Sequence, residues 1–441
     1  MPIARSPAVA GAFYPADPAA LRRAVHGFLA TARPPVLPRP KALMAPHAGY
    51  VYSGPVAASA YALLTPLRGV IRRVVLLGPV HRVWTPGLAL PDADAFDTPL
   101  GRIPLDREAM DGLADLPQVR VHAEAHAQEH SLEVHLPFLQ ESLEAFTLIP
   151  LAVGGATPEA VAEVLDRLWG GDETLIVVSS DLSHFLDYAA AQQRDDATVR
   201  HILHQDAWLE GDQACGCHPL NGLLLTARRR GLQTHLLDLR NSGDTAGERA
   251  RVVGYASIAF TEPGRGDLLL RRARAAIAQA LGRQADPSPC PEWMRQPAAC
   301  FVTLTLQGRL RGCIGSLQAH RALNADLEAN ARAAAFNDPR FPPLTAEELG
   351  QIRVEVSLLT APEPMRFSNE ADALAQLRPG VDGVILEHGW HRATFLPQVW
   401  EQLPDPVEFM AHLKQKAGLE ADFWAPEIRL SRYQVEKFRE E

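Results

Sequence analysis

Three apolar runs end alike. KALMA (41–45) leads into Pro46-His47, VVLLG (74–78) into Pro79-Val80-His81, and TLIVVSS (174–180) into Asp181-Leu182-Ser183-His184. Unbroken apolar runs of this length read as strands buried on both faces, the pattern of a parallel sheet covered by helices. Helix-like stretches lie around them: PVAASAYALL (55–64) with Pro55 near its first turn, PEAVAEVLDRLW (158–169) and HPLNGLLLTARRRG (218–231). The alternation predicts an α/β layered domain with a mainly parallel sheet. In such sheets ligands bind beyond the carboxyl ends of the strands. Parallel strands bring those ends to one edge, so His47, His81, Asp181 and His184 are expected to converge. A polar residue after a strand also serves as a turn or helix cap. The threefold repetition is what favours a shared site.

The pattern changes at FTEPGRGD (260–267), where Pro263, Gly264 and Gly266 follow the strand-like VVGYASIAF (252–260). One domain is expected at 1–261 and a second at 266–441. The second has shorter, alternating strands at 300–317, 352–359, 383–395 and 428–438, with helices over 319–336 and 406–417. That mixture predicts an α+β domain with antiparallel strands. A chain of 441 residues has room for both cores.

Bulk properties narrow the function. The net charge of −9 argues against a general nucleic-acid or membrane-surface binder. No apolar stretch approaches the roughly 20 residues that cross a bilayer, and the N-terminus lacks the apolar core of a signal peptide. Five cysteines form no disulfide framework, which points to a reducing cytoplasm.

Cys215-Gly-Cys217-His218-Pro219 precedes the helix at 218–231. A cysteine at a helix N-terminus is expected to have its thiolate favoured by the dipole. Cys-x-Cys is not a zinc-ribbon spacing and no second pair completes a closed structural site. Cys215 is therefore a ligand of an open site, a reactive thiol or a small buried residue. With His47 and His81 it makes a triad of two nitrogens and one sulfur, which suits iron, copper or zinc better than magnesium or calcium. QEHSLEVHLPFL (128–139) fails the His-Glu-x-x-His test, because His130 and His135 are five apart. Glu129, His130, Glu133 and His135 are expected to line the pocket or to orient metal-bound histidines.

These motifs resemble, in order, those of the Memo family: VAGAFYP (9–15), PHAGYVYSG (46–54), GPVH (78–81), EHSLEVHLPFL (129–139), SSDLSH (179–184) and CGCHP (215–219). The resemblance implies a fold like that of class III extradiol dioxygenases of the protocatechuate-cleaving type. It also implies a metal site of His47, His81 and Cys215, with Asp181 and His184 beside it and Fe(II), copper or zinc as the metal. Cys217 lies outside the pattern. The second part resembles the AMMECR family through LRGCIGSL (310–317), NDPRFPPLT (337–345) and GVDGVILEHGWHRATFLPQV (380–399). Chains joining both resemble the AmmeMemoRadiSam system, which implies a radical S-adenosylmethionine protein as partner.

The residues of the second part say less. Gly312 and Gly315 suggest a bulge or a close backbone approach. Arg311 offers a donor fork to an anion, Arg340 has the same ambiguity, and Cys313 is a thiol or a buried core residue. His388 and His391 flank a hairpin-like Gly-Trp turn and are expected to face solvent.

The leading expectation is a metal-dependent redox protein or oxidoreductase. His184 is its candidate acid/base and Asp181 orients His184 or an adjacent ligand. Two alternatives stay open. One is a scaffold with a vestigial pocket, capturing a peptide on Tyr14, Tyr50, Tyr52 and Trp84. The other is a metal-independent hydrolase or transferase using Cys215 with His184.

Overall fold

The computed structural model describes residues 3–285 and 290–440. The chain forms two compact units, Met1–Glu262 and Pro263–Glu441.

The first unit is built on a nine-stranded mixed sheet. Its centre is parallel, in the spatial order Pro40–Ala45, Thr174–Ser179, Arg73–Pro79, Thr147–Val153. The runs read as two-sided strands are buried almost throughout. Helix Cys217–Arg230 packs on Arg73–Pro79 and Thr174–Ser179, while helix Tyr50–Tyr61 packs on Pro40–Ala45 and Val252–Thr261. Two antiparallel strands extend the parallel centre: Val252–Thr261 beside Pro40–Ala45, and Leu88–Leu90 beside Thr147–Val153. The strand Gln233–Asn241, which pairs with Val252–Thr261, was not expected, because its polar-rich run QTHLLDLRN carries no unbroken apolar stretch.

Register aligns the strand ends. Ala45 pairs with Ser179, and Val178 with Leu77. His47 and Asp181 each lie two residues beyond a paired position, and His81 lies two beyond Pro79. The helix expected to begin near Pro55 starts a turn earlier, at Tyr50, and holds Pro55 inside it. Burial of the Tyr50 ring against Phe138 and Tyr14 favours the earlier start.

The second unit contains two four-stranded antiparallel sheets. One follows the order Arg309–Gly315, Ala299–Leu306, Ile352–Leu359, Val435–Arg439, and helices Arg265–Ala280 and Leu323–Phe336 pack on it. The other contains the hairpin Gly383–His388/His391–Phe395. Both readings of the glycine pair hold. The register shift between Leu304 and Thr305 leaves Arg311 as the extra residue of a bulge. At Gly312 the backbone passes so near helix Leu323–Phe336 that a Cβ would stand 2.0 Å from the Ala334 carbonyl oxygen. Gly312→Ala is therefore expected to destabilise this unit by about 1–3 kcal/mol, the usual cost of overpacking, read from denaturant unfolding of the full chain.

Candidate metal centre

At the carboxyl edge of the sheet, the ligand atoms of His47, His81 and His130 lie within 4.8 Å of one another. The His81 and His130 rings stack at 4.6 Å, and the His47 ring stands edge-on to both. Cys215 Sγ is 3.4 Å from His47 Nε2, on the flank of this trio.

Each of two imidazoles is held by its other nitrogen. Ser179 Oγ spends its proton on the Ser131 carbonyl (2.6 Å), so its 2.6 Å contact with His47 Nδ1 is a hydrogen bond that the imidazole donates. That fixes the His47 tautomer and leaves Nε2 with a lone pair. His81 Nδ1 donates to Glu129 Oε1 at 2.9 Å, and the His81 backbone N–H donates to Oε2. Glu129 also accepts the backbone N–H groups of His130 and Ser131. Burial opposes ionisation of Glu129, but the His81 hydrogen bonds and these backbone donors outweigh it and hold the carboxyl at about 2. Imidazoles bonded in this way through the far nitrogen are typical of metal ligands. Burial and the neighbouring imidazoles push His47 well below its ordinary pKa, and burial first among several causes brings His130 to about 4. Both are neutral donors near pH 7.

Asp181 ties the strand ends together. Its Oδ1 accepts the His47 backbone N–H at 2.8 Å, its own N–H donates to Cys215 Sγ at 3.3 Å, and its carbonyl accepts the Cys215 N–H. Burial pushes the Asp181 carboxyl up to about 7, with the His47 N–H opposing. His184 stands at the exposed rim, where desolvation lowers its pKa. The cavity between these groups is about 460 Å³, and Phe13, Tyr52, Arg251 and Tyr255 also line it.

Cys215 lies just before the helix, as expected, with Gly216 as the cap and the helix beginning at Cys217. Several expectations need correction. Burial, with the Asp181 charge, raises the Cys215 thiol instead of lowering it. Glu133 does not line the cavity. It is fully buried and accepts hydrogen bonds from Arg5, Tyr14 and the Ala8 and Val9 backbone. His135 is buried against Tyr61, and the Tyr50 hydroxyl donates to the Val134 carbonyl, because the turns around 130–135 aim these groups into the core. Of Tyr14, Tyr50, Tyr52 and Trp84, Tyr52 is the one that lines the cavity. Cys217 packs in the hydrophobic core. In the second unit the Arg311 fork is occupied by Glu348 (2.9 and 3.0 Å) and by the Pro342 and Pro343 carbonyls, so it is not open to an anion. Arg340 is bound by Asp338 in the same way. Cys313 accepts from the Thr303 hydroxyl and borders a separate cavity of about 450 Å³.

Sequence reasoning placed His130 outside the ligand set. The residue was expected to line the pocket or orient a ligand, because nothing in EHSLEVHLPFL reveals that the turn folds the ring onto His81. Arg251 and Tyr255 carried no signal before the pairing of Val252–Thr261 with Pro40–Ala45 was known.

Two buried histidines near this region make a pH prediction. Burial holds His126 at about 4 and His135 at about 3. Both titrate near 6.5 when unfolded. Between those values the unfolded chain binds more protons, so each contribution is present near neutrality and is lost as pH falls below 6.5. Asp181 acts in the opposite sense, since its raised pKa favours folding on acidification. A double difference isolates the effect: between about pH 7.5 and about pH 5, wild type is expected to lose about 2 kcal/mol more than His126→Gln, by guanidinium unfolding.

The fold and site define a two-unit chain whose first unit is a mixed α/β domain with an imidazole-lined cavity at the sheet edge. Residues 5–259 match the family model of Memo-like proteins, and residues 270–438 match that of AMMECR1. The chain belongs to the Memo-like family, with an AMMECR1 domain following. A MEMO1 family protein of Sulfolobus acidocaldarius is 34% identical over 281 residues, covering 58% of this chain and 99% of that protein. A Methanothermobacter thermautotrophicus protein is 43% identical over 192 residues, covering 42% of this chain and 98% of its own length. The crystal structure of an uncharacterised Pyrococcus horikoshii protein matches with 34% identity and a TM-score of 0.35, over 40% of this chain and 91% of that one. Among the described residues, no helix is long and apolar enough to cross a membrane.

Proposed function

We propose that the first unit is a mononuclear metal-dependent redox protein or oxidoreductase, with His47 and His81 as metal ligands and Cys215 or His130 completing the set. The carrying observation is the convergence of three imidazoles, two of them fixed through the far nitrogen and two kept neutral. Nitrogen with one soft sulfur suits Fe(II), copper or zinc better than magnesium or calcium, and the resemblance to class III extradiol dioxygenases puts Fe(II) first. When bound, such a metal supplies Lewis acidity and, for iron or copper, one-electron chemistry.

The chain's own residues do the rest. Ser179 and Glu129 hold the imidazoles in orientation, and Asp181 anchors the His47 loop. His184, at the rim, exchanges protons between the cavity and solvent. Burial keeps the Cys215 thiol protonated, which counts against a free nucleophile, since the thiolate is the reactive form. In this reading the second unit docks substrate or a radical S-adenosylmethionine protein of the AmmeMemoRadiSam system, in the cytoplasm.

Anaerobic reconstitution with Fe(II), copper and zinc tests the proposal on the full chain and on His47→Ala, His81→Ala, His130→Ala and Cys215→Ser. Stoichiometric iron or copper, lost in the His47 and His81 variants, is the expected result. The other two variants decide the third ligand. Metal retained in both His47→Ala and His81→Ala refutes the site.

A further inference from the structure

The wall facing the imidazoles is made by the strand Val252–Thr261 and the residue before it. Arg251, Val253 and Tyr255 all line the cavity, as the two-residue side-chain period of a strand requires. His184 pairs directly with Val253, so it stands between the other two polar groups. Arg251 and His184 at the exposed rim and Tyr255 at depth form a strip of polar groups along this wall.

Two members of the strip lack partners. Tyr255 is 2% exposed and lines the cavity, and among the described residues no protein group hydrogen-bonds its hydroxyl, which opens to the cavity. A phenol so nearly buried normally finds a partner. Arg251 has no carboxylate partner among the described residues, and its guanidinium lies 4.9 Å over the Phe185 ring. Phe185 holds a left-handed backbone (φ 62°), uncommon for a bulky residue and frequent at functional sites. Both ends of the wall are thus preset for an acceptor the chain does not supply.

We infer that this wall is the substrate subsite of the same centre, and that it takes a small organic acid bearing a second oxygen function. The carboxylate pairs with Arg251 at the mouth, and the second oxygen accepts the Tyr255 hydroxyl beside the imidazoles. A planar guanidinium fork matches a carboxylate. A phosphate fits less well: such sites gather several backbone N–H groups, whereas this mouth carries Glu248. The four-residue separation, about 13 Å along the strand, calls for a ligand with oxygen at both ends.

The inference rests on the metal reading for what the substrate meets, but binding to the wall can be measured without metal. The probe is trans-4-hydroxycyclohexanecarboxylate, compared by ligand-observed NMR with its carboxamide and with cyclohexanecarboxylate on the metal-free full chain. The acid is expected to bind about tenfold or more tighter than the amide, the worth of one charged hydrogen bond. That preference should vanish in Arg251→Gln, and the preference for the hydroxylated acid should vanish in Tyr255→Phe. Thermal unfolding confirms that both variants are folded. Equal binding of acid and amide, a preference surviving Arg251→Gln, or no binding of any probe overturns the subsite. A Co(II)-loaded chain then separates the two readings. Relaxation strongest at the hydroxyl end supports both. Failure to load Co(II) with the preferences intact counts against the metal reading alone.

Discussion

Glu133→Ala is expected to destabilise the chain by about 3–5 kcal/mol, the usual cost of breaking a buried ion pair by deleting one partner. The Glu133 side chain is fully buried and that of Arg5 is 8% exposed, with Nη1 2.7 Å from Oε2. The same carboxylate holds the Ala8 and Val9 backbone and the Tyr14 hydroxyl. Removing it leaves a nearly buried guanidinium with, among the described residues, the His126 and Glu129 carbonyls and the Phe96 ring face. Those carbonyls belong to the segment that carries Glu129 and His130, so the N-terminal stretch also braces the candidate metal centre. Guanidinium unfolding reads the loss. A change below about 1 kcal/mol, the scale of an exposed pair, contradicts this assignment.

Glu129→Gln is expected to weaken metal binding about 10- to 100-fold, the range for groups that orient histidine ligands. The substitution keeps the shape but replaces one acceptor oxygen with a donor. Glu129 accepts from His81 Nδ1 and from the backbone of His81, His130 and Ser131, so at least one N–H loses its partner. Zinc competition against a chelator measures the affinity, and circular dichroism confirms the fold. Unchanged affinity means that Glu129 supports the turn and not the ligand.

The legible and illegible parts of the site divide along a physical line. The strand runs ending at His47, His81 and Asp181 were readable because a parallel sheet forces burial on both faces and sends every strand end to one edge. The N-terminal α/β class and the antiparallel second domain followed from the same periodicities. Residues 128–135 were not readable, since they fold as turns without a period. His130 joins the imidazole trio there, while Glu133 and His135 turn inward. Arg311 was misjudged for a related reason: a bulge aims it at Glu348, and no local pattern announces a bulge partner 37 positions away. Tyr255 was invisible because its role depends on which strand pairs with Pro40–Ala45.

X-ray absorption on the anaerobically reconstituted, iron- or copper-loaded chain reads the ligands of the metal itself. The multiple scattering of at least two imidazoles is expected, diminished in His81→Ala. Scattering from light oxygen ligands alone, with no imidazole contribution, contradicts the metal site.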